Sequence, residues 1–446
     1  MQLFKFVASA LGAALLVACG GGGNGDQSPK VTYSSVVSFG DSLSDPGAYK
    51  VAAISAAGGG MFTVNGISGA VGSDPVPSYV WAQLVSAAVV GRTSCAARVG
   101  GFGSPIATIA GCTNYAQGGS RVTNPMGVGN SVGVGYTAGA LTEPVVTQVA
   151  NYLAVTSGSR FTGKELVTVL AGGNDIFGLS ATLTAAATAA GNAAFAQSVV
   201  TQLTLGAPSV NQADAQVAIY TGLATEAASP TATPTTIVTA AATAAAIHAA
   251  TNGYTNSAVA NAAAIGTSAG LAGQTAGNTY AATTGAGIAV AGMVTAATEL
   301  SNSVKNMVSL GATHVVVLNL PDVSQTPYAV NTPGAAPLVL AMTQAFNAKL
   351  KADLTGVAGV LFINAFDENR QQILNPSQFG LSNVTGMACA VTDLNPTGTS
   401  FLCNSSNLTG SNTSRYLFAD SVHPTPYAHK LLAQLVTKEL VLAGWL

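Results

Sequence analysis

Val36-Val37-Ser38-Phe39-Gly40-Asp41-Ser42-Leu43-Ser44-Asp45 is the stretch that decides the fold. Its first four residues form a short β-branched and aromatic run, and such a run ended by glycine reads as a buried strand. The strand leads directly into Gly40-Asp41-Ser42, so Ser42 stands just past a strand's carboxyl end. Ligands bind along that edge in open α/β sheets. Further runs of the same kind are Leu166 to Leu170, His314 to Leu320 (HVVVLNL) and Val360 to Ala365 (VLFINA). Helical patterns fall between them. Pro337 to Leu354 opens with proline at a first helical position, and Pro426 to Leu442 closes the chain similarly. Strands apolar on both faces and separated by helices predict an α/β fold: a mostly parallel sheet in a three-layer α/β/α sandwich.

Far downstream of Ser42 stands Asp420-Ser421-Val422-His423-Pro424. The Asp–x–x–His spacing lets a carboxylate hold an imidazole within one loop. Nucleophile, base and orienting carboxylate are therefore all available. With these residues in place the sequence resembles the GDSL esterases and lipases, the SGNH hydrolases. Ser42 sits in the GDSL block as that family's nucleophile does. Asn114-Tyr115-Ala116-Gln117-Gly118-Gly119 is similar to the second block, which places the oxyanion-hole glycine at Gly119. Gly172-Gly173-Asn174-Asp175 resembles the third block, whose asparagine falls on Asn174. Asn319-Leu320-Pro321-Asp322 resembles a later strand-end segment, and Asp420/His423 the final block. After Asp45 the family often continues Thr-Gly-Asn, whereas this chain has Pro46-Gly47-Ala48. The resemblance implies hydrolysis of carboxylic esters through an acyl-enzyme, with no cofactor and no metal. The oxyanion hole is then the Ser42 and Gly119 N–H groups with the Asn174 amide.

Each motif taken singly has a plainer reading. Gly-Asp-Ser is ordinary turn chemistry, His423 could be a loop histidine, and Gly172 to Asp175 a tight connection. Their joint occurrence in order favours the catalytic reading. Asp41, Asp45 and Asp175 read as structural carboxylates that fix the loops. Gly129 to Gly133 and Gly266 to Gly270 both fit the G-x-S-x-G nucleophile elbow, and Gly133 to Ala138 fits G-x-G-x-x-A. No strand precedes any of them, which both motifs require. His314, His248 and His429 read as structural or solvent-facing. The chain lacks CxxC and HExxH, so a metal site is not expected.

The 446 residues carry only 15 Lys+Arg against 17 Asp+Glu, and no basic cluster supplies a nucleic-acid footprint. From about 180 to 298 Ala and Thr dominate, which predicts a helical insertion over or beside the core, a lid or an adhesive surface. Together with the segment from Gly47 to Ala110 it is expected to shape the acyl and alcohol pockets. Gly285 to Ala297 is its most apolar stretch, short for a membrane span.

The apolar run from Phe6 to Ala18 has the length of a signal-peptide core. It ends Leu16-Val17-Ala18-Cys19, which resembles a bacterial lipobox. Residues 1–18 then form a signal peptide, Cys19 carries lipid, 19–32 is a Gly-rich tether, and 33–446 is the hydrolase domain. Gly20 points to an outer-membrane or cell-surface lipoprotein held by this anchor; the alternative is an ordinary signal peptide and a secreted protein. Cys95, Cys112, Cys389 and Cys403 remain, an even number that suggests disulfides in an exported chain. Three connectivities are open, and the local pairs Cys95–Cys112 and Cys389–Cys403 close the shortest loops. The competing functions are a carbohydrate O-acetyl esterase and a non-catalytic adhesin or binding lipoprotein.

Overall fold

Consecutive Val, Leu and Phe leave a strand no polar face, so it must be covered on both sides. That is what the computed structural model shows for the central sheet. It describes residues 31–66, 78–131 and 138–446; the expected signal peptide, Cys19 and most of the tether lie outside the described residues.

The strands are β1 (Ser35–Gly40), β2 (Arg98–Gly101), β3 (Ser104–Thr108), β4 (Glu165–Leu170), β5 (His314–Leu318), β6 (Val360–Ile363), β7 (Asn383–Met387) and β8 (Tyr416–Phe418). The main sheet has the order β1-β4-β5-β6, and every pairing in it is parallel. β2 and β3 form an antiparallel hairpin, and β7 and β8 a short parallel pair.

The principal helices are α1 (Trp81–Val90), α2 (Val145–Val155), α3 (Gly173–Leu205), α4 (Gln212–Ala227), α5 (Pro234–Thr251), α6 (Ala262–Tyr280), α7 (Ala286–Ser309), α8 (Ala335–Leu354), α9 (Ala365–Leu374) and α10 (Pro426–Leu442). One core unites the sheet with α1, α2, α7, α8 and α10. Phe39, Leu166, Val169 and Val317 meet Trp81, Val149, Met293, Leu300, Phe346 and Val436 there. The chain is thus an α/β protein with a mostly parallel central sheet flanked by helices.

Strand and helix ends differ from expectation where side chains take over backbone hydrogen bonds. β5 stops at Leu318 rather than Leu320, because Asn347 from α8 accepts from the Leu320 N–H at 2.9 Å and donates to its carbonyl at 2.8 Å. β6 stops at Ile363 because Asn364 caps α9, its Oδ1 accepting from the Asp367 N–H. α8 begins at Ala335, so Pro337 occupies its third position, where the missing N–H has no helical acceptor in any case.

The Ala/Thr-rich segment is helical, and its helices grow out of the core. α3 starts at Gly173, inside the loop after β4, and α7 ends at Ser309, just before β5. α3 packs along α6, where Gly191, Gly273 and Gly277 let the backbones approach. The outer parts of α3 to α6 share a separate small core of Val199, Leu203, Ile219, Leu223, Val238 and Ile265. Gly285 to Ala297 lies within a continuous helical run, Val259–Ser309, long and apolar enough by length and composition to cross a membrane. Both disulfides are formed, Cys95–Cys112 and Cys389–Cys403.

Candidate active site

Parallel strands deliver all their following loops to one edge, and the candidate residues gather there. Ser42 follows β1, Asn174 opens α3 after β4, and Asp420 to His423 lies between β8 and α10. His423 Nε2 stands 2.9 Å from Ser42 Oγ, across 381 residues of sequence. His423 Nδ1 is 2.9 and 3.0 Å from the two Asp420 carboxylate oxygens. An ionised carboxylate only accepts, so Nδ1 carries the proton and the neutral Nε2 is left to accept from the serine hydroxyl.

Asp420 is buried, and burial alone would raise its pKa. The His423 imidazole and the Ser400 and Val422 N–H groups outweigh that and hold it well below the usual carboxylate range. Ser400 N–H donates at 2.7 Å to Oδ2, while the N–H groups of Val422 and His423 donate to Oδ1 at 2.9 and 2.8 Å. The carboxylate therefore stays ionised and fixed in orientation.

Ser42, Gly119 and Asn174, whose donors could serve an oxyanion, line one cavity. Among the described residues the N–H groups of Ser42 and Gly119 meet no protein acceptor. Asn174 donates one amide hydrogen to the Ser120 carbonyl at 2.9 Å, which leaves the other free. It sits at the N-terminus of α3, where unpaired N–H groups favour negative charge. Gly119 has φ +81°, and a Cβ there would run into the Val128 carbonyl oxygen, so only glycine fits.

Of the three carboxylates read as structural, Asp45 and Asp175 tie separate loops together, while Asp41 braces only its own turn. Asp45 accepts from the N–H groups of Gly47, Ala48 and Gly118, linking the Ser42 loop to Gly119. Its burial pushes its pKa up to about 6 against those bonds. Asp175 pairs with Arg121 at 2.9 Å and accepts from the Val122 N–H, which anchors the first turn of α3. Asp41 accepts from the Leu43 N–H at 3.0 Å, and burial raises it to about 7.

Sequence reading missed what supports the base. Phe62 packs its ring on the His423 imidazole, with centroids 5.1 Å apart, and stacks on Phe401 at 5.2 Å. The Asn65 side chain joins Met61 and Thr63 to Ser400 and Cys403. Both residues lie in loops without periodicity, so no local pattern marks them.

A cavity of about 360 Å³ contains Ser42, Gly119, Asn174 and His423. Phe62 and Phe102 from the segment 47–110 line it, as expected. The Ala/Thr-rich insertion does not: between Phe177 and Leu320 no residue contributes to the wall, and its outer helices pack in a core of their own. The remaining histidines stand apart. His429 is fully buried on α10 and accepts from the Trp81 N–H, His314 packs edge-on against Trp445, and His248 meets Tyr254 in the insertion. Gly266 to Gly270 lies inside α6, without the strand an elbow requires. Gly129 to Gly133 and Gly133 to Ala138 run into positions outside the described residues. Among the described residues no three His, Cys, Asp or Glu side chains cluster as metal ligands.

No family model matches the chain. Among curated proteins it is similar to a GDSL esterase/lipase of Arabidopsis thaliana, 28% identical over 160 residues, or 33% of this chain and 43% of the relative. A second from the same plant is 27% identical over 154 residues, 32% of this chain and 41% of that protein. A third is 35% identical over 94 residues, 20% of this chain and 25% of its own length. The chain thus spans about two fifths of the length of the first two relatives. Over about a third of its own length, this chain is similar to the GDSL esterases/lipases.

Proposed function

We propose that this protein is a serine hydrolase of carboxylic esters that works through an acyl-enzyme. The observation that carries the reading is the unbroken hydrogen-bond line from Ser42 Oγ through His423 to Asp420. Ser42 Oγ attacks the ester carbonyl carbon as His423 Nε2 takes its proton. Negative charge then collects on the former carbonyl oxygen, where Ser42 N–H, Gly119 N–H and the free Asn174 amide hydrogen can receive it. When that intermediate collapses, the C–O bond to the alcohol breaks and His423 returns the proton to the leaving oxygen. Water, deprotonated by the same imidazole, then releases the acid and restores Ser42. Asp420 fixes the ring and stabilises its cationic form without itself taking the proton.

A series of p-nitrophenyl esters from acetate to palmitate, with Ser42→Ala alongside, tests this. Hydrolysis by the wild type that disappears in the folded variant supports the reading. A folded wild type inert toward the whole series overturns it in favour of a binding protein. A sharp optimum at acetate would instead favour the O-acetyl esterase.

The proposal extends to location: an exported protein cut before Cys19 and held to a membrane by lipid on that residue. Its supports are the Leu16-Val17-Ala18-Cys19 sequence and two disulfides, which persist in oxidising compartments. Cys19→Ser should move the protein from the membrane to the soluble fraction; a variant that stays membrane-bound contradicts the anchor.

A further inference from the structure

Gly118 and Gly119 are joined by a peptide whose N–H is one of the three proposed oxyanion donors, and glycine on both sides leaves that peptide the widest choice of torsions. Gly119 has φ +81°, and a Cβ on Gly118 would strike the Phe62 ring, so neither position admits a side chain to stiffen it. The peptide's orientation must therefore be set by what bonds to it. Asp45 Oδ2 accepts from the Gly118 N–H at 2.9 Å, and the Val128 N–H donates to the Gly119 carbonyl at 2.9 Å. Both of those bonds belong to the adjoining peptides. The bond on the Gly118–Gly119 peptide itself comes from Tyr49, whose hydroxyl donates to the Gly118 carbonyl oxygen at 2.7 Å.

Tyr49 stands in the loop after β1, fully buried, and does not line the cavity. Phe62, Phe102 and Phe401 meet its ring edge-on, with centroids 6.1, 5.5 and 6.2 Å away. Phenylalanine would serve that packing as well, and burying a hydroxyl costs free energy unless it is bonded. Here the hydroxyl is fully committed. The Thr142 N–H donates to its oxygen at 3.2 Å, which leaves its single hydrogen for Gly118. Burial holds its pKa well above the ordinary 10, so it keeps that hydrogen wherever the imidazole can work.

A trans peptide points its C=O and N–H in opposite directions, so a donor that holds the Gly118 oxygen aims the Gly119 N–H away from Tyr49. A hydrogen bond to the oxygen also polarises the peptide and makes its N–H a stronger donor. We propose that Tyr49 is a positioning residue for ester hydrolysis, which through the Gly118 carbonyl aims and strengthens the Gly119 N–H for the oxyanion. This rests on the serine-hydrolase reading and adds to it a residue outside the cavity. Tyr49 touches no reacting atom. Its effect is felt where negative charge collects, in the transition state, and not in binding the uncharged ester.

The test compares the wild type, Tyr49→Phe and Tyr152→Phe. Tyr152 is a control of the same chemistry: its buried hydroxyl is bonded to Glu165, at the start of β4 and the opposite end of the sheet from Ser42. On p-nitrophenyl butyrate Tyr49→Phe should lower kcat about tenfold or more with little change in KM, while Tyr152→Phe keeps its kcat. The second readout is inhibition by an alkyl trifluoromethyl ketone. Ser42 Oγ adds to its carbonyl carbon, the hydroxyl proton passes to His423, and the carbonyl oxygen becomes an anion in the hole. The Ki for this ketone should rise by about the factor that kcat falls, whereas a loosened fold would raise Ki and KM together. Tyr49→Met, also without a donor, takes the same measurements should Tyr49→Phe not fold. A folded Tyr49 variant with kcat within about twofold of wild type overturns the role. So does an equal loss in Tyr152→Phe, an unchanged Ki, or failure of both Tyr49 variants to fold, which would make the bond structural. Folded wild type that hydrolyses no ester overturns the parent reading instead.

Discussion

Asn174 has two amide hydrogens, and the structure commits one of them to the Ser120 carbonyl. The account gives the other to the oxyanion, so Asn174→Ala should lower kcat about 10² to 10³-fold with little change in KM. Steady-state kinetics on p-nitrophenyl butyrate checks this, and near-normal kcat would remove the residue from the hole. His429 makes a different prediction. Burial, reinforced by the charge of His423, lowers its pKa from 6.5 to about 3. The folded protein therefore keeps it neutral, while the unfolded chain takes up a proton below 6.5. Stability from this group is complete above pH 6.5 and is lost as pH falls toward 3. Between pH 7 and pH 5 the wild type should lose about 2 kcal/mol more than His429→Asn, whose Oδ1 can still accept from Trp81. Urea unfolding at both pH values measures the difference. The raised carboxyls of Asp41 and Asp45 act in the opposite sense, but equally in both proteins, and cancel. Ser42, Asn174, Asp420 and His423 were legible because each sits in a short motif beside a strand or in the terminal loop. Phe62 and Asn65 were not, since the contacts that join them to His423, Ser400 and Cys403 reach more than 300 residues along the chain.

Among the elements, the four sheet strands could be read because a strand buried on both faces writes itself as a continuous β-branched run. Their ends were less legible, since Asn347 and Asn364 displace backbone pairing by contacts that sequence spacing does not reveal. The disulfides followed the short-loop expectation, and one of them reaches the chemistry. Cys403 stands three residues from Ser400, whose N–H holds Asp420, and Cys389–Cys403 spans 14 residues. Closing a loop of about that size stabilises by about 3 kcal/mol. Replacing both cysteines by serine should therefore lower unfolding free energy by about that amount and also reduce kcat. Denaturant melts paired with turnover at the same temperature decide it. A variant of full kcat would detach this loop from the Asp420 carboxylate.

At the scale of the whole molecule, the helical insertion is built unlike the rest. Residues 178–298 contain two acidic residues, Asp214 and Glu226, and no Lys or Arg. Its outer core is separate from that of the sheet, and it contributes nothing to the cavity wall beyond Phe177. The composition announced helices here but not their direction, because Ala and Thr mark no buried face. Gly191 and Gly273 touch across α3 and α6, so a short turn can join them in place of residues 192–272. That shortened protein should fold and hydrolyse a small soluble ester as the full chain does, measured by circular dichroism and p-nitrophenyl butyrate turnover. Loss of activity in a folded deletion would give the outer helices a part in catalysis. The central claim, that these distant segments meet to activate one serine, is tested most directly by covalent labelling. A fluorophosphonate probe followed by peptide mass spectrometry should place a single adduct on Ser42, absent in Ser42→Ala and slowed in His423→Ala. An unlabelled Ser42 in folded wild-type protein, or an adduct on another residue, would contradict the account.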